Sequence, residues 1–197
     1  MLKKNKQTRI GLTGGIGSGK TYISNLLIKL GFKVFNADFE AKKCILENDN
    51  LIQKIQNAFG DHVCDNGLVN NKALAKIVFN NKQKLSKLNN LIHPIVKKKF
   101  HDWCVKQDSH IVFKETAILF ESGSFSNIDK VICISSSKEV RISRVMQRDN
   151  ISRQDVITRM NNQMSQDNKE KLSDFIIKNN EHELLIPQLL NVINQIG

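Results

Sequence analysis

Gly14-Gly15-Ile16-Gly17-Ser18-Gly19-Lys20-Thr21 is the stretch that decides the fold of this 197-residue chain. It matches GxxxxGK[ST], the pattern of a loop whose successive backbone N–H groups wrap phosphates as a concave nest. Four glycines give the backbone conformations that other residues avoid. Lys20 adds a point charge for the β- and γ-phosphates, and the Thr21 hydroxyl is the expected Mg²⁺ ligand. The helix opening there brings the positive end of its dipole to the same phosphates. The run expected to contact a nucleoside triphosphate is therefore Gly15, Ile16, Gly17, Ser18, Gly19, Lys20, Thr21 and Tyr22, with Lys20 exposed until phosphate arrives.

The flanks supply the context this pattern needs. Arg9-Ile10-Gly11-Leu12-Thr13 reads as a short buried strand. Ile23, Leu26, Leu27 and Leu30 then fall at i, i+3, i+4 and i+7, one helical face, and Gly31 supplies a stop. Phe32-Lys33-Val34-Phe35-Asn36 is a second strand ending at Ala37-Asp38, at the edge where a parallel sheet binds ligands. A carboxylate there would face the phosphates, although the same position suits a helix N-cap.

Helical spacing dominates the next segment, from Leu51, Ile52, Ile55 and Phe59, through Leu74, Ile77 and Val78, to Leu85, Leu88, Ile92, Ile95, Val96, Phe100 and Trp103. The block from about 40 to 108 is expected to be wholly helical, with Gly60 and Gly67 bracketing a loop and Pro94 kinking or starting a helix with His93 at the break. Further strands are expected at Ile111–Phe113, running into Lys114-Glu115-Thr116, at Val131–Ile134 and at Phe175–Ile177. A closing helix would carry Leu184, Leu185, Leu189, Leu190 and Ile193. Strands alternating with helices imply an α/β fold, a parallel sheet of the P-loop NTPase type flanked by helices. The expected organisation is one domain over 1–197, with a core at about 8–39, 109–136 and 170–197, a helical substrate subdomain at about 40–108 and a lid at about 137–169.

Arg141, Arg144 and Arg148 at i, i+3 and i+7 stack three guanidiniums along one helix, with Arg153 and Arg159 following. Such a concentration suits a lid that neutralises phosphate charge on closure, because the planar fork of arginine grips phosphate oxygens with defined geometry.

Composition narrows the class further. The formal charge of +11 comes from 30 basic against 19 acidic side chains, spread along the chain with only Lys97-Lys98-Lys99 as a compact run. Polyanionic small molecules explain that balance as well as nucleic acid does, and the aromatics, mostly Phe at core-like spacing, form no stacking surface for bases. No apolar run approaches ~20 residues, so no membrane span is expected, and Lys3, Lys4 and Lys6 lead into a strand too short for a signal-peptide core. The protein is expected to be cytoplasmic, a monomer or weak homo-oligomer. Cys44, Cys64, Cys104 and Cys133 match no paired metal knuckle or CxxC motif and read as reduced thiols.

Taken in order, these residues resemble the dephospho-coenzyme A kinases from end to end. The resemblance is carried by Gly11-Leu12-Thr13-Gly14-Gly15-Ile16-Gly17-Ser18-Gly19-Lys20, Ala37-Asp38, His93-Pro94, Leu119-Phe120-Glu121, Arg144 with Arg148, Arg159 with Gln163, and a late segment from Asp174 to Asn179. It implies transfer of the γ-phosphate of ATP to the ribose 3′-hydroxyl of dephospho-coenzyme A, with Mg²⁺. Asp38 would match the family's catalytic carboxylate, beside Lys20. Arg148 would be the lid arginine that contacts ATP, and His93, Leu119, Glu121, Arg144, Arg159 and Gln163 would bind substrate. Arg141 stands where glutamine is common in the family, Asn71 where arginine is frequent, and Tyr22 where a small threonine is common. A GTPase switch would need NKxD and DxxG, and neither string occurs. A nucleoside or shikimate kinase of the same architecture is the alternative.

Overall fold

The computed structural model describes residues 7–79 and 81–197, so Lys3, Lys4 and Lys6 lie outside the described residues. The chain divides into two compact units, one of residues up to Asn36 together with Trp103–Gly197, the other Ala37–Asp102.

The first unit begins with β1 (Thr8–Thr13), α1 (Lys20–Lys29) and β2 (Lys33–Asn36). Gly19 caps α1 in the left-handed region at φ 93°, and Gly31, at φ 91°, ends it as expected of a C-terminal glycine. Ile23 and Leu27 are fully buried, but Leu30, expected on the same buried face, is about half exposed because it lies past the last turn of the helix.

The second unit runs α2 (Ala37–Glu47), α3 (Asp49–Phe59), β3 (Cys64–Asp65), β4 (Leu68–Val69), α4 (Asn71–Val78) and α5 (Lys82–Val105), whose last residues belong to the first unit. Two expectations are corrected here. The segment is not wholly helical, because β3 and β4 pair antiparallel around Asn66 and Gly67. Both turn residues have positive φ, 48° and 79°, which is what a two-residue hairpin turn demands and what Asn-Gly supplies. Nor does a helix start at Pro94, since α5 passes through it and His93 lies inside the helix. A helix interior tolerates proline at the loss of one N–H donor when packing on both sides holds it, and Leu88, Ile92, Val96 and Phe100 are all buried.

The first unit resumes with β5 (Ile111–Glu115), β6 (Lys130–Ser135), α6 (Lys138–Asp149), α7 (Arg153–Asn161), α8 (Gln166–Lys171), β7 (Phe175–Lys178) and α9 (Leu185–Ile196). Its five strands lie in the order β2-β5-β1-β6-β7, every pair parallel. All therefore end at one edge, where Thr13, Asn36, Glu115, Ser135 and Lys178 close their strands. Chain connections leave β1 and β5 towards opposite sides of the sheet, which opens the binding crevice of such folds between those two strands. Ile10, Leu12, Phe113, Ile132, Ile134 and Ile177 of the sheet pack with Ile23 and Leu27 of α1 and with Leu189 and Val192 of α9. Leu190 is 42% exposed because α9 turns only its other face inward, and Leu184, expected within the closing helix, instead caps it and is 76% exposed.

All four cysteines are free thiols, Cys133 wholly buried in β6. Burial, followed by the neighbouring Glu170 carboxylate, pushes the Cys133 thiol up to about 11. Cys133 is accordingly expected to resist iodoacetamide at pH 8 in the folded protein and to react only after denaturation, as mass spectrometry of the labelled peptides would read. Labelling of native Cys133 as fast as of half-buried Cys64 would contradict this packing. No helix among the described residues is long and apolar enough to cross a membrane.

Candidate active site

The glycine-rich loop joins β1 to α1 at the crevice edge. Gly14, Gly17 and Gly19 carry φ of 150°, 81° and 93°, and a Cβ at Gly17 would strike the Arg141 carbonyl while one at Gly19 would strike the Asn179 amide. Glycine is thus required both by backbone conformation and by space. Lys20 is only 8% exposed, contrary to the expectation of a free surface cation. Its Nζ donates to the carbonyls of Gly14 (2.9 Å) and Gly15 (3.2 Å), so the loop closes over its own lysine. Gly15 N–H donates to Gln166 Oε1 (3.0 Å) and Ile16 N–H to Gln163 Oε1 (2.9 Å). Among the described residues the N–H groups of Gly17 and Gly19 meet no protein acceptor. Inside the loop the Ser18 hydroxyl is fully buried without a hydrogen-bond partner.

Across the crevice, Thr21 Oγ1 donates to Glu115 Oε1 at 2.9 Å, and Asn36 Nδ2 donates to Glu115 Oε2 at 2.9 Å. Glu115 is 3% exposed at the end of β5, in register with Asn36 on one side and Leu12 on the other. A buried carboxylate beside a threonine hydroxyl at the head of a phosphate loop is an oxygen pair suited to a hard cation. Mg²⁺ is held by one or two such groups, with water and substrate phosphates completing its octahedron. The residues present therefore fit the ion.

Helix α6 does not present its three arginines alike. Arg141 is 9% exposed, its guanidinium lies where a Cβ on Gly15 would stand, and its Nε has no hydrogen-bond partner. Burial pulls its guanidinium below the ordinary range, while Glu170 and Asp167 act the other way. Arg144 donates from Nη1 to the Asn179 carbonyl (3.1 Å) and to Ser136 Oγ (3.3 Å), and Asn179 Nδ2 donates to the Ser18 carbonyl (2.8 Å). Arg148 is exposed and forks onto Asp149, with Nε at 2.7 Å and Nη2 at 3.0 Å. Arg159 Nη1 reaches the same carboxylate at 2.7 Å. The Arg148 hydrogen bond, with both guanidinium charges, holds the Asp149 carboxyl below the usual carboxylate range.

A family model described as dephospho-CoA kinase matches residues 8–184. The chain belongs to the dephospho-CoA kinase family. A dephospho-CoA kinase from Bacteroides fragilis is 36% identical over 186 residues, which is 94% of this chain and 91% of the relative. Among solved structures, a Thermus thermophilus protein superposes with a TM-score of 0.82 at 27% identity, covering 97% of this chain and 96% of its own. A dephospho-CoA kinase from Campylobacter jejuni superposes with a TM-score of 0.68 at 33% identity over 95% and 96%.

Within this kinase, the residues singled out from sequence are distributed as follows. Lys20, Thr21, Arg144 and Gln163 belong to or touch the phosphate loop or its immediate support. Arg148 and Arg159 share Asp149 further along α6 and α7. Leu119 is fully buried and packs where a Cβ on Gly11 would stand, so it offers a ligand no surface. Glu121 Oε1 accepts from Lys169 Nζ (2.7 Å) and from Met164 N–H (2.8 Å), which fastens the segment before α8. Asp38 and His93 lie in the second unit; Asp38 is the second residue of α2, inside its first turn and not its cap. Two groups were missed. Glu115 was marked only by its place at the strand end, and Gln166 follows Gln163 by three residues without any motif of its own.

Proposed function

We propose that this kinase transfers the γ-phosphate of ATP to the ribose 3′-hydroxyl of dephospho-coenzyme A, giving coenzyme A and ADP. The observation that carries the reading is family membership over residues 8–184, joined to a phosphate loop facing a buried carboxylate across the crevice. Lys20, freed from the Gly14 and Gly15 carbonyls, neutralises the β- and γ-phosphates. The loop amides of Gly17 and Gly19 donate to the phosphate oxygens, and the α1 dipole adds to them. Thr21 and Glu115 would hold Mg²⁺. When bound, that ion neutralises charge on the phosphate oxygens. Asp38 accepts or orients the proton of the attacking 3′-hydroxyl, and Arg148, released from Asp149, grips the transferring phosphoryl group as segment 137–169 closes. Arg144 with Asn179 supports the nucleotide side of the loop. His93 and Arg159 would serve the acceptor, as the family pattern implies, and Glu121 fixes the segment before α8.

Because fold does not fix the acceptor, the test is a coupled ADP-release assay across dephospho-coenzyme A, nucleosides, nucleoside monophosphates and shikimate. Turnover is expected with dephospho-coenzyme A far above all others; a preference for shikimate or a nucleoside would replace this reading. Arg148→Lys is expected to lower kcat about tenfold or more while ATP affinity changes little, since a point charge cannot reproduce the fork in the transition state. Equal losses in kcat and in ATP affinity would remove Arg148 from the transferring phosphate.

A further inference from the structure

The first half of the phosphate loop is held from outside by a built network. Gly15 and Ile16 give their consecutive N–H groups to the side-chain carbonyls of Gln166 and Gln163. Gln166 is itself fixed, because its Nε2 donates to the Ile134 carbonyl (3.2 Å) and to Glu170 Oε1 (2.9 Å), anchoring it to β6 and to its own helix. Between the two glutamines, Met164 N–H donates to Glu121, which also accepts from Lys169. Lys169 is 0% exposed and reaches the Ala117 carbonyl as well. Four glycines in one loop would otherwise leave it many conformations, most of them unable to aim the remaining amides inward.

We infer that Gln163 and Gln166 are positioning residues for ATP, two side chains that strap the outer amides of the phosphate loop and hold the Gly17 and Gly19 amides and Lys20 in binding geometry. Their oxygens occupy N–H groups that a bound phosphate would otherwise be expected to take. The strap assigns Gln163 to the nucleotide, where its match to the family pattern had suggested the acceptor. It also ties the loop to residues 117–121 through Glu121 and Lys169, so that the two segments keep one geometry. This inference rests on the reading of the loop as an ATP site.

The test is direct titration of ATP, without acceptor, onto wild-type protein and onto Gln163→Met and Gln166→Met, followed by KM and kcat for both substrates. Both glutamines are partly buried, but among the described residues the Gln163 side chain makes only the bond to Ile16 whereas Gln166 also anchors to β6 and Glu170, so Gln163→Met keeps its fold even if Gln166→Met melts early. Loss of one such hydrogen bond is expected to weaken ATP binding about tenfold in each variant, with kcat within about threefold of wild type and the acceptor KM unchanged. A merely structural role would lower the active fraction and leave both affinities alone. Unchanged ATP affinity in Gln163→Met, or a raised acceptor KM in its place, overturns the strap. Wild-type protein that binds no ATP would overturn the functional reading and the strap with it.

Discussion

Lys20→Ala is expected to reduce kcat by about 10³-fold, the scale of losing a preorganised charge from a developing anionic transition state. The transferring phosphoryl group spreads negative charge over its oxygens, and the enzyme's task is almost entirely positioning and electrostatic stabilisation. Burial of Lys20 changes how the experiment must be read. Its ammonium also ties the Gly14 and Gly15 carbonyls together, so removal loosens the loop before any substrate arrives. Lys20→Met, which keeps most of the stem but has no ammonium, separates loss of the ammonium from loss of packing: both variants lose the charge and its ties to the two carbonyls, but only alanine also loses the packing. Comparable kcat losses in both, with melting temperatures close to wild type, identify charge as the cause. Phosphoryl transfer within tenfold of wild type in Lys20→Met would remove the loop from the chemistry.

The second large effect is expected at Asp38. If its carboxylate orients or deprotonates the acceptor hydroxyl, Asp38→Asn lowers kcat by about 10²–10⁴-fold, the range for a positioned general base. The loose transition state needs little nucleophile activation, which favours the low end of that range. Because Asp38 stands in the first turn of α2, its charge also favours the helix dipole, and asparagine forfeits about 0.5 kcal/mol of stability by that route. That small loss cannot imitate a hundredfold rate effect in protein that remains folded. Single-turnover transfer measured beside an ATP titration should show a slow step with intact ATP affinity. An unimpaired rate would leave Asp38 as a helix residue only.

Sequence periodicity carried the parallel sheet because each strand sits between turn signals and a helix, and because the glycine loop fixes where the first strand ends. It failed where one local rule competed with another. Asn66-Gly67 is a strong hairpin signal, yet strands of two residues each give no alternation to read, so the surrounding helical pattern masked it. At Pro94 the expected helix start lost to the apolar face of a 24-residue helix. Leu30, Leu184 and Leu190 were placed on helices by spacing alone, but Leu30 and Leu184 fall at helix caps and the one-sided α9 leaves Leu190 exposed. The phosphate loop and the threonine were legible because their chemistry is local. Glu115 was harder, since its meaning comes from Thr21, 94 positions away, and appears only when β5 lies beside β1. Likewise the arginines of α6 read as a single stack, whereas packing of the helix on the loop gives Arg141, Arg144 and Arg148 three different environments.

The most direct test of the central claim follows the phosphorus atom. Wild-type kinase is incubated with Mg²⁺, dephospho-coenzyme A and ATP isotopically labelled in its γ-phosphate, and the product is assigned by phosphorus–proton correlation NMR. The account predicts that the label leaves ATP as one equivalent and appears on the ribose 3′-oxygen, coupled to the 3′ proton, with one ADP formed per coenzyme A. Label released as inorganic phosphate, or carried by another oxygen or another acceptor in preference, would contradict it.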